Sequence, residues 1–253
     1  MKFQGIVKVL DKIEIMEDVF QITAERPAGM EGVKPGQFFN FKADNVLLRR
    51  PISISGINET TLEFTIKIVG QGTASLRAMT EIDMMGPLGN GYDLIETGKA
   101  LVVGGGIGTA PMKALACALA QSGVVVDTII GFREKPYLED AFESVSDKLI
   151  IVSETDAAYV RGYVTAPMET LLKSNTYDMV YVCGPTVMLK NVQKICQDAQ
   201  IKVQLLMEEK MACGIGACLV CTCKTKQGEF GFKHSRMCVD GPMFYGDEVI
   251  FDA

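Results

Sequence analysis

The sequence predicts a multi-domain chain: an N-terminal antiparallel β-barrel over residues 1–98, a central α/β unit built on a parallel sheet over 99–206, and a small cysteine-rich C-terminal unit over 207–253. Three observations carry that division. Short β-like runs with turn signals fill the first part, strands alternate with helical patterns in the second, and the third gathers four cysteines into "CGIGACLVCTC" with little hydrophobic periodicity.

In the first part, GIVKVLDKIEI, VFQITAE, QFFNFKA, PISISGI and TLEFTIKIV mix apolar and polar residues with β-branched enrichment, separated by Pro35-Gly36 and Asn58-Glu59. Five or six such strands suit a small barrel. The second part reads ALVVGGG, TAPMKALACALAQSG, VVVDTIIGF, LIIVSE, APMETLLKS, YDMVYVCG, TVMLKNVQKICQDA and KVQLLM, a strand-then-helix rhythm that calls for covering helices. The 253 residues are 48% hydrophobic and 22% charged, enough for a substantial core. The segment MKFQGIVKVLDKIEI lacks a signal-peptide apolar region, and no run approaches 18 apolar residues, so a cytoplasmic protein without a membrane partner is expected. A formal charge of −6 without a basic run argues against nucleic acid. Eight cysteines in such a chain point to metal or redox work before disulfides.

Cys213, Cys218 and Cys221, followed by Cys238, reproduce the plant-type ferredoxin spacing C-x4-C-x2-C…C. Gly214 and Gly216 would let the backbone curl around a 2Fe-2S cluster with N–H groups aimed at sulfur. A structural zinc site is the alternative, although zinc more often uses two C-x2-C knuckles, and only Cys218 with Cys221 forms one here. Cys223 is surplus to the pattern, and Cys117 and Cys196 read as small buried hydrophobes.

The run LVVGGGIGTAP is a strand entering a glycine turn and then a helix near Thr109. Gly104, Gly105, Gly106 and Gly108 permit close backbone approach, and the helix N-terminus favours a pyrophosphate. A second strand end, YVCGPTVM, would bring Cys183, Gly184 and Pro185 to the same rim, with Cys183 and Gly184 exposed and Pro185 as the first helical residue. A purely structural strand-helix turn is the competing reading. Within the predicted barrel, Arg50, Pro51, Ile52 and Ser53 form one strand, and Lys67, Ile68 and Val69 run into Gly70-Gln71-Gly72 and a short helix at Thr73. An arginine and helical N–H donors can both hold a dinucleotide's pyrophosphate; alone, Arg50 could equally be a solvated edge-strand residue.

R-P-I-S, G-x-G-T, G-G-G-I-G-T-A-P and C-G-P in this order resemble the ferredoxin-NADP reductase superfamily over nearly the whole chain. The resemblance implies an FAD-binding barrel and an NAD-binding α/β domain. Members usually carry R-x-[YF]-[ST], whereas this chain places Ile52 where an aromatic would stack on the flavin. That departure, the run Met211 to Cys221 and the Asp240-Gly241-Pro242 shortly after Cys238 are similar to one branch, the electron-transfer subunits of NAD-linked, B-type dihydroorotate dehydrogenases. The branch implies a 2Fe-2S domain, a role in pyrimidine biosynthesis and a second polypeptide, an FMN-containing TIM barrel, joined with it in a heterotetramer. The only histidine, His234, supports no triad, consistent with a substrate site on another chain. The runner-up is the small FAD/2Fe-2S reductase subunit of a sulfur-reducing, hydrogenase-linked or bifurcating ferredoxin:NADP oxidoreductase. The acidic stretch SETD (153–156) favours NAD over NADP, with Arg133 and Lys135 opposing it.

Overall fold

The computed structural model describes residues 2–229 and 231–251. The N-terminal part contains β1 (Phe3–Met16), β2 (Val19–Glu25), β3 (Phe38–Phe41), β4 (Arg50–Ser53), β5 (Gly56–Ile57), β6 (Thr61–Lys67), the short helix α1 (Gln71–Leu76) and β7 (Glu81–Leu88). These strands form one antiparallel sheet in the order β4-β3-β7-β1-β2-β6-β5. Its edges, β4 and β5, are consecutive in the chain. Ile54 N–H donates to Gln37 O at 3.1 Å and Ser55 N–H donates to Glu63 O at 2.8 Å, so the bent stretch 50–57 joins one edge of the curled sheet to the other. Alternation along the strands turns Phe20, Ile22, Phe39, Phe41, Phe64 and Ile82 inward. Phe64 meets Phe41 edge-on with ring centroids 4.8 Å apart.

β7 was absent from the expected strands. Its sequence, EIDMMGPL, alternates buried and exposed positions, but Met, Gly and Pro stand where β-branched residues usually mark a strand. Tertiary pairing with both β1 and β3 supplies what local preference lacks.

The central part runs β8 (Lys99–Gly105), α2 (Thr109–Gln121), β9 (Val125–Phe132), α3 (Glu139–Glu143), β10 (Lys148–Ser153), β11 (Val160–Arg161), α4 (Thr165–Ser174), β12 (Met179–Cys183), α5 (Thr186–Asp198) and β13 (Val203–Leu206). All of these strands pair in parallel. Period-two alternation divides the faces: Leu101, Val103 and Val182 pack with α4 and α5, while Ala100, Val102 and Tyr181 pack with α2 and α3. Among the described residues no helix is long and apolar enough to cross a membrane.

The C-terminal part holds the hairpin β14 (Thr222–Gln227) and β15 (Gly231–Arg236), and then β16 (Met243–Tyr245). None of the three was expected. β16 pairs antiparallel with β13, adding a seventh strand to the central sheet, so the chain after residue 207 is partly a piece of the α/β unit. Its apolar residues complete that sheet's α4/α5 face: Cys221, Met237, Cys238, Phe244 and Val249 share one core with Leu205 and with Phe38 and Leu88 of the N-terminal sheet. The dipeptide Gly241-Pro242 is bonded on both sides, accepting from Asn90 N–H at 2.6 Å and from Met207 N–H at 2.9 Å.

The first two parts also meet directly. Lys113 of α2 donates to Glu63 of β6 at 2.6 Å, with both side chains about four-fifths buried. Removing one partner leaves the other charge desolvated, so Lys113→Met is expected to cost about 2–3 kcal/mol. The double change Lys113→Met/Glu63→Leu should recover most of the loss in chemical denaturation, and a double variant no more stable than the single would show that the pair holds no desolvated charge.

Candidate functional site

The four cysteines of the expected pattern come together as two pairs. In the first, Cys213 Sγ accepts the Cys218 and Ile215 N–H groups at 3.4 and 3.5 Å, while Cys218 Sγ accepts the Cys213 N–H at 3.5 Å. The second pair, Cys221 and Cys238, is buried with Sγ atoms 3.4 Å apart. Two thiolates per metal is the donor set a dinuclear iron cluster takes. No group of three His, Cys, Asp or Glu side chains converges on a single-ion site among the described residues.

Backbone geometry makes the loop. Gly214 and Gly216 have φ of +71° and +85°, left-handed values that a side chain resists. A Cβ at Gly214 would collide with the Asn40 carboxamide, and one at Gly216 would stand 2.7 Å from Val239 Cγ2. Arg236 then locks the far side. Its Nη1 donates to Gly216 O at 3.2 Å while Asp240 Oδ2 accepts from its Nε at 3.0 Å and its N–H at 2.8 Å.

The pairs differ electrostatically. The Ile215 N–H, with help from the Cys218 and Ala217 N–H groups, holds the Cys213 thiol down at about 6. Burial pushes Cys238 up to about 12. Cys223, half-buried on β14, is raised to about 11 by burial, Cys196 to about 12, and Cys117 is raised as well. Cys196 is a core residue, whereas Cys117 is only half-buried.

Both glycine turns of the α/β unit meet at the carboxyl ends of neighbouring strands, where Cys183 pairs with Gly104. A Cβ on Gly108 would lie 2.7 Å from the Cys183 carbonyl, and one on Gly184 would lie 3.3 Å from Gly105 Cα. Only bare backbone lets the turns nest. Gly106, at φ +56°, faces open space. A short 3-10 turn over Gly106–Gly108 precedes α2. Thr109 opens α2, fully buried, and its hydroxyl has no hydrogen-bond partner among the described residues; an orphaned donor at a helix N-terminus suits a bound nucleotide. Two details depart from expectation. Pro185 is the N-cap, with α5 beginning at Thr186, because its ψ of 146° is extended. Cys183 and Gly184 are half-buried; the two turns cover each other. Beside them, at the ends of β9 and β10, Thr155 Oγ1 donates to Arg133 O at 3.0 Å and Ser153 Oγ to Glu134 O at 2.8 Å, so the acidic and basic stretches form one rim.

In the curled sheet, Arg50 lies on Gly72, where a Cβ would stand 3.1 Å from Arg50 Cδ. The guanidinium donates to its own Leu48 O at 3.0 and 3.3 Å. Thr73 Oγ1 accepts from Val69 N–H at 2.9 Å and donates to Gly70 O at 3.1 Å, fixing the turn that starts α1. Arginine and glycine turn thus form one cradle, a fit for a dinucleotide's phosphates. Ile68 is partly buried, Lys67 pairs with Asp18 at 3.4 Å, and Val69 is 80% exposed. Alternation buries Ile52 against the sheet's core and turns Pro51 outward, with Ser53 half-buried.

Asn40, on β3 opposite Pro51, carries no motif in the sequence, yet its carboxamide lies against the Gly214 turn. His234 is exposed on β15, with its ring edge-on to Phe232.

The thiol differences have a consequence at neutral pH. In metal-free protein Cys213 is largely thiolate, so iodoacetamide at pH 7 should label it well before Cys223, Cys196 or Cys238; peptide mass spectrometry reads the order, and equal labelling rates would contradict it. Gly108→Ala should open the nested turns and weaken NADH binding at least about tenfold, the effect of a contact loss near 1.4 kcal/mol, as measured by fluorescence titration.

Residues 208–250 match the model for the iron-sulfur cluster binding domain of dihydroorotate dehydrogenase B. Over 98% of both chains, the sequence is 40% identical to the dihydroorotate dehydrogenase B (NAD(+)) electron transfer subunit of Clostridium perfringens. It is 35% identical to the protein of the same name from Caldanaerobacter subterraneus subsp. tengcongensis, over 99% of this chain and 100% of that one. Among solved structures, a chain of the NADH-dependent reduced ferredoxin-NADP oxidoreductase superimposes with a TM-score of 0.85 at 30% identity, over 97% of this chain and 90% of that one. The cytochrome b5 reductase domain of Ulva prolifera nitrate reductase shares the fold at TM-score 0.61 and 17% identity, over 76% of this chain and 93% of that one. At 40% and 35% identity to these two electron transfer subunits over nearly all of both chains, the protein belongs to the family of dihydroorotate dehydrogenase B (NAD(+)) electron transfer subunits.

Proposed function

We propose that this chain is the electron relay of a dihydroorotate-oxidising complex, carrying electrons from an FMN-containing TIM-barrel subunit through a 2Fe-2S cluster and FAD to NAD+ in pyrimidine biosynthesis. The observation that carries the reading is the seating of Gly214, next to Cys213, on Asn40 of β3, the strand that pairs with Arg50–Ser53. The cluster loop is therefore one strand away from the proposed flavin strand. A bound flavin exchanges hydride with NAD(H) and single electrons with a cluster, which makes it the necessary middle station.

The residues divide the work. Cys213 with Cys218 and Cys221 with Cys238 hold the two irons. Arg50, Pro51, Ile52 and Ser53, with Lys67, Ile68, Val69, Gly72 and Thr73, hold FAD. Gly104, Gly105, Gly106, Gly108 and Thr109, with Cys183, Gly184 and Pro185, hold NAD. Boundaries near residues 98 and 206 separate the three functions along the chain. Around the cysteine loop, Ile215, Leu219 and Val220 are at least half exposed, an apolar surface suited to a partner. That partner supplies the carbon chemistry and, at about 250 residues, is a TIM barrel; two copies of each chain make the heterotetramer. A reducing cytoplasm keeps the thiols free for iron. The ferredoxin-NADP oxidoreductase likeness supports a second reading, the same relay serving a larger flavoprotein partner.

The purified chain should be yellow-brown, with FAD and one 2Fe-2S cluster. It should pass electrons from NADH to artificial acceptors yet leave dihydroorotate untouched. Added TIM-barrel subunit should couple dihydroorotate oxidation to NAD+ reduction. In the assembled complex, Cys218→Ala should abolish that coupling while sparing part of the NADH–acceptor activity, and Cys223→Ser should keep iron. Dihydroorotate turnover by the chain alone, or full coupling in the Cys218→Ala complex, would overturn the reading. Co-purification with a larger flavoprotein instead of a TIM barrel would select the second one.

A further inference from the structure

Asn40 is 1% exposed, and neither its Nδ2 nor its Oδ1 has a hydrogen-bond partner among the described residues. Leaving a carboxamide buried and unpaired forfeits its hydrogen bonds to water, so a group at this position calls for a reason. Its neighbours on β3, Phe39 and Phe41, point into the curled sheet's core, and alternation turns Asn40 to the outer face. On that face Phe38 and Leu88 pack in the core that contains Cys221 and Cys238. The surroundings are thus apolar, and an aliphatic residue would be the unforced choice. Above the carboxamide lies Gly214, whose missing Cβ is what makes room for Nδ2. Gly214 is flanked by Cys213 and by Ile215, whose N–H already points at Cys213 Sγ.

We propose that Asn40 is a positioning residue for the cluster: a side chain of the flavin-proposed sheet that sets the height of the Gly214 turn and directs an N–H toward the sulfur layer held by Cys213. This rests on the cluster reading above. A hydrogen bond to cluster sulfur stabilises the more negative, reduced state, and it is strong where water is excluded. Asn40 thereby makes the cluster easier to reduce, and because it stands on β3 beside β4 it ties that effect to the sheet proposed to carry the flavin. Its backbone is fixed in turn by Arg49, whose Nη1 donates to Asn40 O at 3.2 Å while Nη2 pairs with Asp83 at 2.9 Å.

The test is an EPR-monitored redox titration of the complete chain, wild type beside Asn40→Leu, Asn40→Asp and Asn40→Gln, with iron content and visible circular dichroism recorded for each. Asn40→Leu keeps the volume and removes the donor. Its midpoint potential should move to more negative values, so that at a fixed poise the reduced fraction of cluster falls several-fold, with altered g-values. Asn40→Asp, which adds a negative charge, should move it further in the same direction, and Asn40→Gln should return part of the wild-type value. A purely space-filling Asn40 would leave Asn40→Leu at the wild-type potential with wild-type g-values, and that result overturns the proposal. Should Asn40→Leu and Asn40→Asp fail to retain iron, Asn40→Gln decides: holding the cluster supports the proposal, and losing it overturns it. A wild-type chain without the EPR signal of a reduced 2Fe-2S cluster would instead count against the cluster reading itself.

Discussion

Two backbone hydrogen bonds to one dipeptide organise the molecule. Gly241 O accepts from Asn90, at the end of the curled sheet, and Pro242 O accepts from Met207, just beyond β13 of the parallel sheet. The Asn90 side chain adds a bond to Asp240 O at 3.0 Å. This stretch follows Cys238 closely, so the last cysteine is tied to both sheets. The Asp240–Arg236 pair extends the restraint to Gly216, and β16 anchors the downstream end beside β13. Beside that anchor, Cys221 and Cys238 are buried in one core with Phe38, Leu88 and Leu205.

The second constraint is the repeated omission of a side chain at close approaches. Gly108 against Cys183, Gly72 against Arg50 and Gly214 against Asn40 each mark a place where one element approaches another without an intervening Cβ. At Gly108 and Gly214 a methyl group would collide with the facing element, and at Gly72 it would crowd Arg50. The cost of glycine's unfolded-state freedom is offset by packing that no other residue allows.

Where the sequence was legible, the physics was local. The cysteine spacing, the strand-turn-helix at LVVGGGIGTAP and the R-P-I-S strand followed by G-x-G-T each describe a few consecutive residues whose covalent geometry nearly dictates their shape. β7, β16 and the hairpin of β14 and β15 were illegible because long-range pairing makes them strands: EIDMMGPL has methionines and a proline, and MFY is three residues long. Asn40 left no mark at all. A lone asparagine between two phenylalanines reads as the polar phase of a half-exposed strand, and only the loop folded over it removes it from water.

The C-terminal part is built across the curled sheet and the α/β unit: Gly214 on β3, Phe244 and Val249 on the parallel sheet's α4/α5 face. Neighbouring strands lie about 4.8 Å apart, so a loop seated on β3 is one such step from β4. A station placed there passes electrons on to the proposed flavin strand without a domain motion. Its outer side, lined by Ile215, Leu219 and Val220, stays open to solvent. A relay with one face sealed against the proposed flavin sheet and the other left apolar and exposed is incomplete by itself; the exposed face is accounted for once a second subunit covers it.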